Sequence, residues 1–596
     1  MQREDALIPY AATELTGARI LVLAAHPDDE SFGAGGTLAS NVGRAEAIRV
    51  WIATDGTGQE GVPPEGAPEY AARRREEAVR AAAILGLEPP RFGGLPDRGL
   101  AAGGESLARA VAAVLEDFRP DLVFCPSPCE IHPDHRALAR VLYELVAASR
   151  PADPGHDRFR FLRMAFYELS HPLLPNTLVD IGASSGKKDQ ALAAFASQQA
   201  VRDYAGAIQG LNAYRRLTLS GRGPVEAFRV VSYEEASTTS LEAFRRAIGP
   251  SAITDGAHGP APVSVVIRTR NRPALLKEAL ESLRSQTARP RQVVVVNDGG
   301  ASPREVTDGL RDAFDVVLED PRLKRGRSAA ANRGVALSTE ALVAFLDDDD
   351  RCFPDHVERL YAAYARGPEP VVYADAVTVV YGQAPEGGGW EPRVRTLQYS
   401  LDYDPDYLLY ANYIPIHTLL LPRELFRKVG GFDESLEYSE DWDFLIRLSA
   451  EAPFRHVRAV TCEYRVFEAS SSDPGHVAAG AGAFQDARRK IFERYASRRT
   501  DAGLARVLDR MRAQVAAWYD RDGISQGELK SLRESHRRDT ESLSRLQAEV
   551  QRLGESDRLL REARAEVERS HGILEAIYGS RTWKLHLFLD RLRGRS

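Results

Sequence analysis

Cysteine is scarce: four among 596 residues, Cys125, Cys129, Cys352 and Cys462. That is too few to staple domains of the size this chain must form, and it fits a reducing compartment. No stretch reaches the roughly 18 consecutive apolar residues of a spanning helix, so membrane contact is expected to be peripheral at most. The opening residues, MQREDALIPYAATELTG, lack the basic-then-apolar order of a secretory signal, and cytoplasmic exposure is the expectation. An excess of positive charge is also missing. The 78 basic side chains face 85 acidic ones for a net charge of −7, so no nucleic-acid partner is expected. With 43% hydrophobic and 27% charged residues, the chain is neither wholly disordered, collagen-like nor membrane-embedded. Its length allows about two to four domains at roughly 100–200 residues each. Arginine far exceeds lysine and alanine is abundant, the bias of GC-rich bacterial coding.

The apolar runs ARILVLAAH, AIRVWIATDG and DLVFCPSP read as buried strands separated by amphipathic stretches such as EYAARRREEAVRAAAILG. This is the βαβ rhythm of a parallel sheet. A further strand, NTLVDIG, precedes the helical KKDQALAAFASQQA, and the first domain is expected over 15–245. Residues 246–261, rich in Gly, Pro and Ala, read as a linker. A second rhythm (VSVVIRT, RQVVVVND, FDVVLED, ALVAFLDDDD) predicts an α/β domain over 262–475. A helical extension follows over 476–524 and could cap it. A broken heptad built on Leu543, Leu546, Val550, Leu553 and Leu560 predicts a coiled coil over 525–576, or else a solvated helix packing on the body. The expected fold class is α/β, in two domains with a helical C-terminal segment.

A strand ending in LAAHPDDE puts His26, Asp28 and Asp29 at the carboxyl edge of a parallel sheet, where open α/β folds keep their sites. The strand LVFCPSP delivers Glu130, His132, Asp134 and His135 to the same edge. Two histidines and a carboxylate make a three-ligand zinc site with one position open, and a further carboxylate could take a proton from water. Cys125 and Cys129 lack the C-x-x-C spacing and read as structural. With its His26-Pro-Asp-Asp-Glu30 and His132-Pro-Asp-His135 motifs, the region resembles the PIG-L/LmbE family of zinc-dependent N-acetyl-sugar deacetylases, which have a Rossmann-like fold. Supporting matches are Thr54-Asp55-Gly56, the helix at Arg74 to Glu77, Lys188-x-x-Ala191-Leu192 and Ser197-Gln198. The resemblance implies that His26, Asp29 and His135 hold zinc and that Asp28 is the general base. It also implies that His132 stabilises the oxyanion and helps protonate the leaving amine.

In the second domain, strand ends bring Arg270-Asn271-Arg272-Pro273 and Asn297-Asp298-Gly299-Gly300 to one edge. Four consecutive carboxylates, Asp347 to Asp350, follow a buried strand, and they repel one another unless they share a cation such as a divalent ion bridging a diphosphate. Glu440 and Asp441 open a helix whose Trp442, Phe444, Leu445 and Leu448 face inward; a carboxylate there is otherwise a good cap. As a set, with RGRSAAANRGVALSTEALVAFLDDDD and KVGGFDESLEYSEDWDFLIRL, these resemble a family-2 glycosyltransferase of the GT-A fold. The resemblance implies that Asp349 holds Mn2+ or Mg2+ and that Asp441, supported by Glu440, is the base of an inverting transfer. Thr269, Asn271, Asp298, Asn332 and Asp347 would then bind the donor. The sequence departs from the family pattern at Asn297, in place of the first acidic residue, and at Ala331, where arginine is frequent. It has no QxxRW-like segment, which points away from a processive synthase.

The tail over 577–596 joins Trp583, Leu585, Leu587, Phe588 and Leu589 to Arg581, Lys584, Arg591, Arg593 and Arg595. It could rest on an anionic membrane surface or pack on a neighbouring subunit. The expectation for the whole is a bifunctional enzyme of bacterial cell-surface polysaccharide or glycolipid synthesis, with a nucleotide-diphospho-sugar donor and a glycan or glycolipid acceptor. A homo-oligomer formed through the coiled coil and a cytoplasmic location, peripheral to the membrane, go with it. Two alternatives are a transferase whose first domain only binds sugar, and a coiled-coil scaffold for glycan enzymes.

Overall fold

The computed structural model describes residues 9–509, apart from 58–66, 151–152, 154–155, 220–222, 250–258, 322, 384–388, 469–480 and 501–502. The expected coiled coil and basic tail lie outside the described residues. Among those described, no helix is long and apolar enough to cross a membrane.

The first sheet holds β1 (Arg19–Ala24), β2 (Ala47–Thr54), β3 (Arg91–Leu95), β4 (Leu122–Pro126), β5 (Arg163–Tyr167), β6 (Thr177–Asp180) and β7 (Val225–Ser232). Their order is β3-β2-β1-β4-β5-β7-β6. The first five run parallel, and β7 is antiparallel to both neighbours. Ile20, Leu21, Val22, Leu23 and Ala24 are all fully buried. A strand covered on both faces has no polar alternation, which is why β1 reads as one apolar run. Each such Leu, Ile or Val contributes about 1.5–3 kcal/mol by leaving water.

Helices α1 (Asp29–Asn41) and α2 (Ala67–Leu85) cover one part of this sheet, and α3 (Gly104–Phe118) and α4 (Pro133–Ala147) another. Helix α1 lies unusually close: a Cβ on Gly33 would sit 2.1 Å from the Tyr167 ring. The family-like residues outside the motifs fasten these helices. Glu226 accepts hydrogen bonds from the backbone of Gly36 and Thr37, each at 2.8 Å, and from Lys188 Nζ at 2.6 Å. Glu77 accepts from Ser197 N and Oγ at 2.8 and 2.6 Å.

The second sheet is built from β8 (Ala261–Thr269), β9 (Pro290–Asn297), β10 (Asp315–Glu319), β11 (Leu342–Asp347), β12 (Arg351–Cys352), β13 (Val371–Gln383), β14 (Trp390–Tyr399), β15 (Leu419–Pro422) and β16 (Phe454–Phe467). The order is β10-β9-β8-β11-β15-β13-β16-β12, with β14 on β13. The helix Ala481–Arg494 ends against this domain: Tyr495 Oη donates to Asp443 Oδ1 at 2.7 Å, and Arg494 pairs with the same carboxylate.

The two sheets belong to one compact unit, Met1–Arg506. The helix Leu241–Ile248 runs into the expected linker, and β8 opens at its last residue. Arg150, just beyond α4, ion-pairs with Asp375, a fully buried carboxylate of β13. Arg359 meets Glu144 at 3.0 Å, and Arg458 meets Asp153 at 2.9 Å. These partners are far apart in sequence and follow no periodicity, so a sequence read as two beads on a linker folds as two sheets tied by charge.

Candidate active sites

In the first sheet the chain passes β1, β2, β3 in one direction and returns to lay β4 on the other side of β1. The loops after β1 and β4 therefore leave the sheet at its topological switch point. The first carries His26 to Asp29 and the second Glu130 to His135. Asp28 has φ 152° and ψ −28°, a strained conformation that places its carboxyl in the cleft while α1 starts at Asp29. Asp29 Oδ2 accepts from the backbone of Ala25 and His26, each at 2.9 Å. His132 caps α4, its Nδ1 accepting from Asp134 N at 3.2 Å, which leaves the proton of the neutral ring on Nε2.

The predicted residues converge. His26 Nδ1 is 3.1 Å from His135 Nε2, which is 3.2 Å from Asp29 Oδ1. The rings of His26 and His132 stand 4.5 Å apart, centroid to centroid. Asp28 pairs with Arg74 Nη2 at 2.9 Å. Asp97, from the loop after β3, was missed by sequence reasoning: its Oδ1 lies 3.1 Å from His26 Nε2. The turn Pro96-Asp97-Arg98-Gly99 was the available signal, and Arg98 has φ 57°.

Burial works against charge on His26, but the carboxylates of Asp134 and Asp97 outweigh it and raise the ring to about 10. For His135, Asp29 and then Glu130 overcome burial and raise it to about 9. Burial also works to raise Asp29, yet His135 and His26 hold it well below the carboxylate range. Burial lifts Asp28 to about 6 against the pull of Arg74. His132 is lowered to about 4 by burial and then by the two other imidazoles, so it is neutral.

The donor set fits a metal. His26, His132 and His135 each bring one ligand atom within 4.8 Å of the others, and so do His26, Asp97 and Asp134. His26 Nε2 lies between Asp97 Oδ1 at 3.1 Å and Asp134 Oδ2 at 3.6 Å, a buried cluster of donor atoms that a cation would satisfy. Nitrogen and carboxylate oxygen donors are the set that zinc takes.

The second sheet repeats the plan: β8, β9 and β10 run one way, and β11 returns to the other side of β8. Thr269, Asn271 and Arg272 follow β8, and the acidic run follows β11. Here the protein supplies part of the countercharge itself. Arg268 Nε holds Asp347 Oδ1 at 2.8 Å, and Arg272 Nη1 reaches Asp348 and Asp349 at 3.2 and 2.8 Å. His417 Nδ1 meets Asp350 Oδ2 at 3.0 Å. Burial and then Asp349 lift Asp348 to about 7, and Thr269 Oγ1 donates to it at 2.8 Å.

Among the described residues no three carboxylates of this loop converge on one point. Carboxylate oxygens nevertheless suit Mg2+ or Mn2+ when substrate phosphates complete the shell.

The other predicted residues divide. Glu440 accepts from Arg268 at 2.7 Å and Arg327 at 2.8 Å, which joins it to Asp347 through Arg268. Asp441 accepts from Asn412 at 2.9 Å; burial and then Glu440 push it up to about 6 against Arg327. Asp298 Oδ1 accepts from the backbone of Arg325 and Gly326 at 2.7 and 2.9 Å. Asn271, at φ 57°, accepts from Ala301 N and packs where a Cβ on Gly300 would intrude, at 2.2 Å. Asn332 spends its amide on Phe432 and Glu434. The positions are near the cleft loops, but the side chains of Asp298, Asn271 and Asn332 brace those loops. Sequence reasoning missed Arg268, Arg327 and His417.

The family model described as GlcNAc-PI de-N-acetylase, PIG-L, matches residues 21–146. That of glycosyl transferase family 2 matches residues 264–428. The chain carries a PIG-L domain and a family 2 glycosyl transferase domain. Each match spans its switch point. An uncharacterized glycosyltransferase, YwdF of Bacillus subtilis, is 29% identical over 218 residues, 36% of this chain and 79% of that protein. The pre-mycofactocin glycosyltransferase of Mycobacterium tuberculosis is 32% identical over 34% of this chain, which spans 43% of that relative. A solved N,N'-diacetylchitobiose deacetylase from Pyrococcus horikoshii aligns at 25% identity and TM-score 0.32, over 36% of this chain and 85% of its own.

Proposed function

We propose that the chain is bifunctional: its PIG-L domain hydrolyses the amide of an N-acetyl amino sugar with zinc, and its family 2 domain transfers a sugar with inversion from a nucleotide-diphospho-sugar. The observation that carries the first half is the convergence of His26, Asp29 and His135 beside a strained, buried Asp28. His26, Asp29 and His135 would hold a zinc ion, which would supply Lewis acidity to the amide carbonyl and to water. Asp28 accepts a proton from water as the water oxygen attacks the carbonyl carbon. His132, neutral with its proton on Nε2, donates a hydrogen bond to the developing oxyanion. As the C–N bond breaks, Asp28 returns the proton to the amine, with His132 beside it. Arg74, on Asp28, fixes the carboxyl.

In the family 2 domain Asp441 takes the acceptor hydroxyl proton, the acceptor oxygen attacks the anomeric carbon, and the nucleoside diphosphate leaves. Asp349 would hold a divalent ion, which would offset charge on that leaving group. Bacterial cell-surface glycan or glycolipid is the proposed product class, made at the cytoplasmic side. The test is acetate release by the full chain, with chelator and with zinc restored, from free, nucleotide-linked and glycosidically linked N-acetylhexosamines. Zinc-dependent release lost in Asp28→Asn is expected. Release that survives chelation and Asp28→Asn would remove the hydrolase half.

A further inference from the structure

We propose that Cys352, His356 and Cys462 form a three-ligand structural site for a zinc-class ion in the family 2 domain, distinct from the ligand sets of both active sites. Cys352 of β12 and Cys462 of β16 face each other across an antiparallel register. His356 opens the helix His356–Arg366, one turn beyond Cys352. Cys352 is 6% exposed, His356 2% and Cys462 fully buried. One ligand atom from each lies within 4.8 Å of the others.

The spacing matches a metal polyhedron. Zn–S bonds of about 2.3 Å and Zn–N bonds of about 2.0–2.1 Å at tetrahedral angles put two sulfurs about 3.8 Å apart and sulfur and nitrogen about 3.6 Å apart. The structure has Cys462 Sγ 3.6 Å from Cys352 Sγ and 3.3 Å from His356 Nδ1. Two thiols and an imidazole form a soft donor set that favours zinc over the hard ions of the acidic loop.

His417 supports it through its backbone. Its backbone carbonyl accepts from Cys462 Sγ at 3.5 Å. Its Nδ1 is held by Asp350, and its Nε2 is buried with no hydrogen-bond partner. An ion here would clamp β12, and with it the exit of the Asp347–Asp350 loop, to β16.

The test uses the full chain purified with zinc, and the same chain with His26→Ala and His135→Ala to empty the PIG-L site. That variant is expected to keep one zinc per chain, released when p-mercuribenzoate takes the thiols. The cobalt-substituted wild type is expected to show the near-ultraviolet sulfur-to-cobalt charge transfer that a histidine and carboxylate site lacks. Cys352→Ser with Cys462→Ser removes both signals. Because those substitutions fall in the core, mercurial titration of the wild type stands on its own. Absence of the sulfur-to-cobalt band, with Cys352 and Cys462 recovered as free thiols or as a disulfide by mass after alkylation, would overturn the site.

Discussion

The two switch points of this chain are built alike and charged differently. Both sheets carry the order third-second-first-fourth strand, and both present the loops after their first and fourth strands to one cleft. Around β1 and β4 the loops bring imidazoles and carboxylates together, His26 Nε2 lying 3.1 Å from Asp97 and 3.6 Å from Asp134. Around β8 and β11 arginines already pair with the carboxylates. Topology selects the place, and the residues just past each strand select the chemistry. On the function proposed above, the first cleft would hold a resident ion and the second an ion whose shell donor phosphates complete.

The largest expected effect separates the two clefts. Asp441→Asn should slow nucleoside diphosphate release by about 10²–10⁴-fold, the usual worth of a general base, while acetate release is unchanged. A parallel fall in both activities would mean that the clefts are coupled.

Next in size is the tie between the sheets. Arg150→Ala removes one partner of the fully buried Asp375 carboxylate, whose other oxygen keeps His456 Nε2 at 2.6 Å, at a cost of about 1–3 kcal/mol. Chemical denaturation should show that loss, and a loss under 1 kcal/mol would mean the sheets do not depend on each other.

Gly33→Ala should cost about 1–3 kcal/mol by overpacking, because its Cβ would meet Tyr167 at 2.1 Å. Its effect is expected to fall on acetate release before transfer. The smallest effect is a pH profile. Asp441, raised to about 6, must be ionised to act, so transfer should fall about tenfold per unit as pH drops below that value and level off above it. A profile flat down to pH 4 would contradict its role.

Much of this was legible in sequence. Buried parallel strands leave continuous apolar runs, so β1, β4, β8 and β11 and the motifs at their ends could be read directly. What pairs with those motifs could not. Arg268 sits inside an apolar strand as if it were an interruption, yet it bridges Asp347 and Glu440. Arg150 and Asp375 are 225 residues apart, and Cys352 and Cys462 are 110 apart. Charge and thiol pairing have no periodicity, so only the folded sheets reveal them. The side chains that share the charge of Asp347 to Asp350, Arg268, Arg272 and His417, come from other segments and were illegible for the same reason.

The central claim is that the PIG-L cleft is a hydrolase in its own right beside a working transferase. Acetate release and nucleoside diphosphate release measured together on one preparation of the full chain carrying Asp28→Asn test it most directly. The account predicts that acetate release disappears while diphosphate release stays at the wild-type rate. Undiminished acetate release in that variant would contradict it.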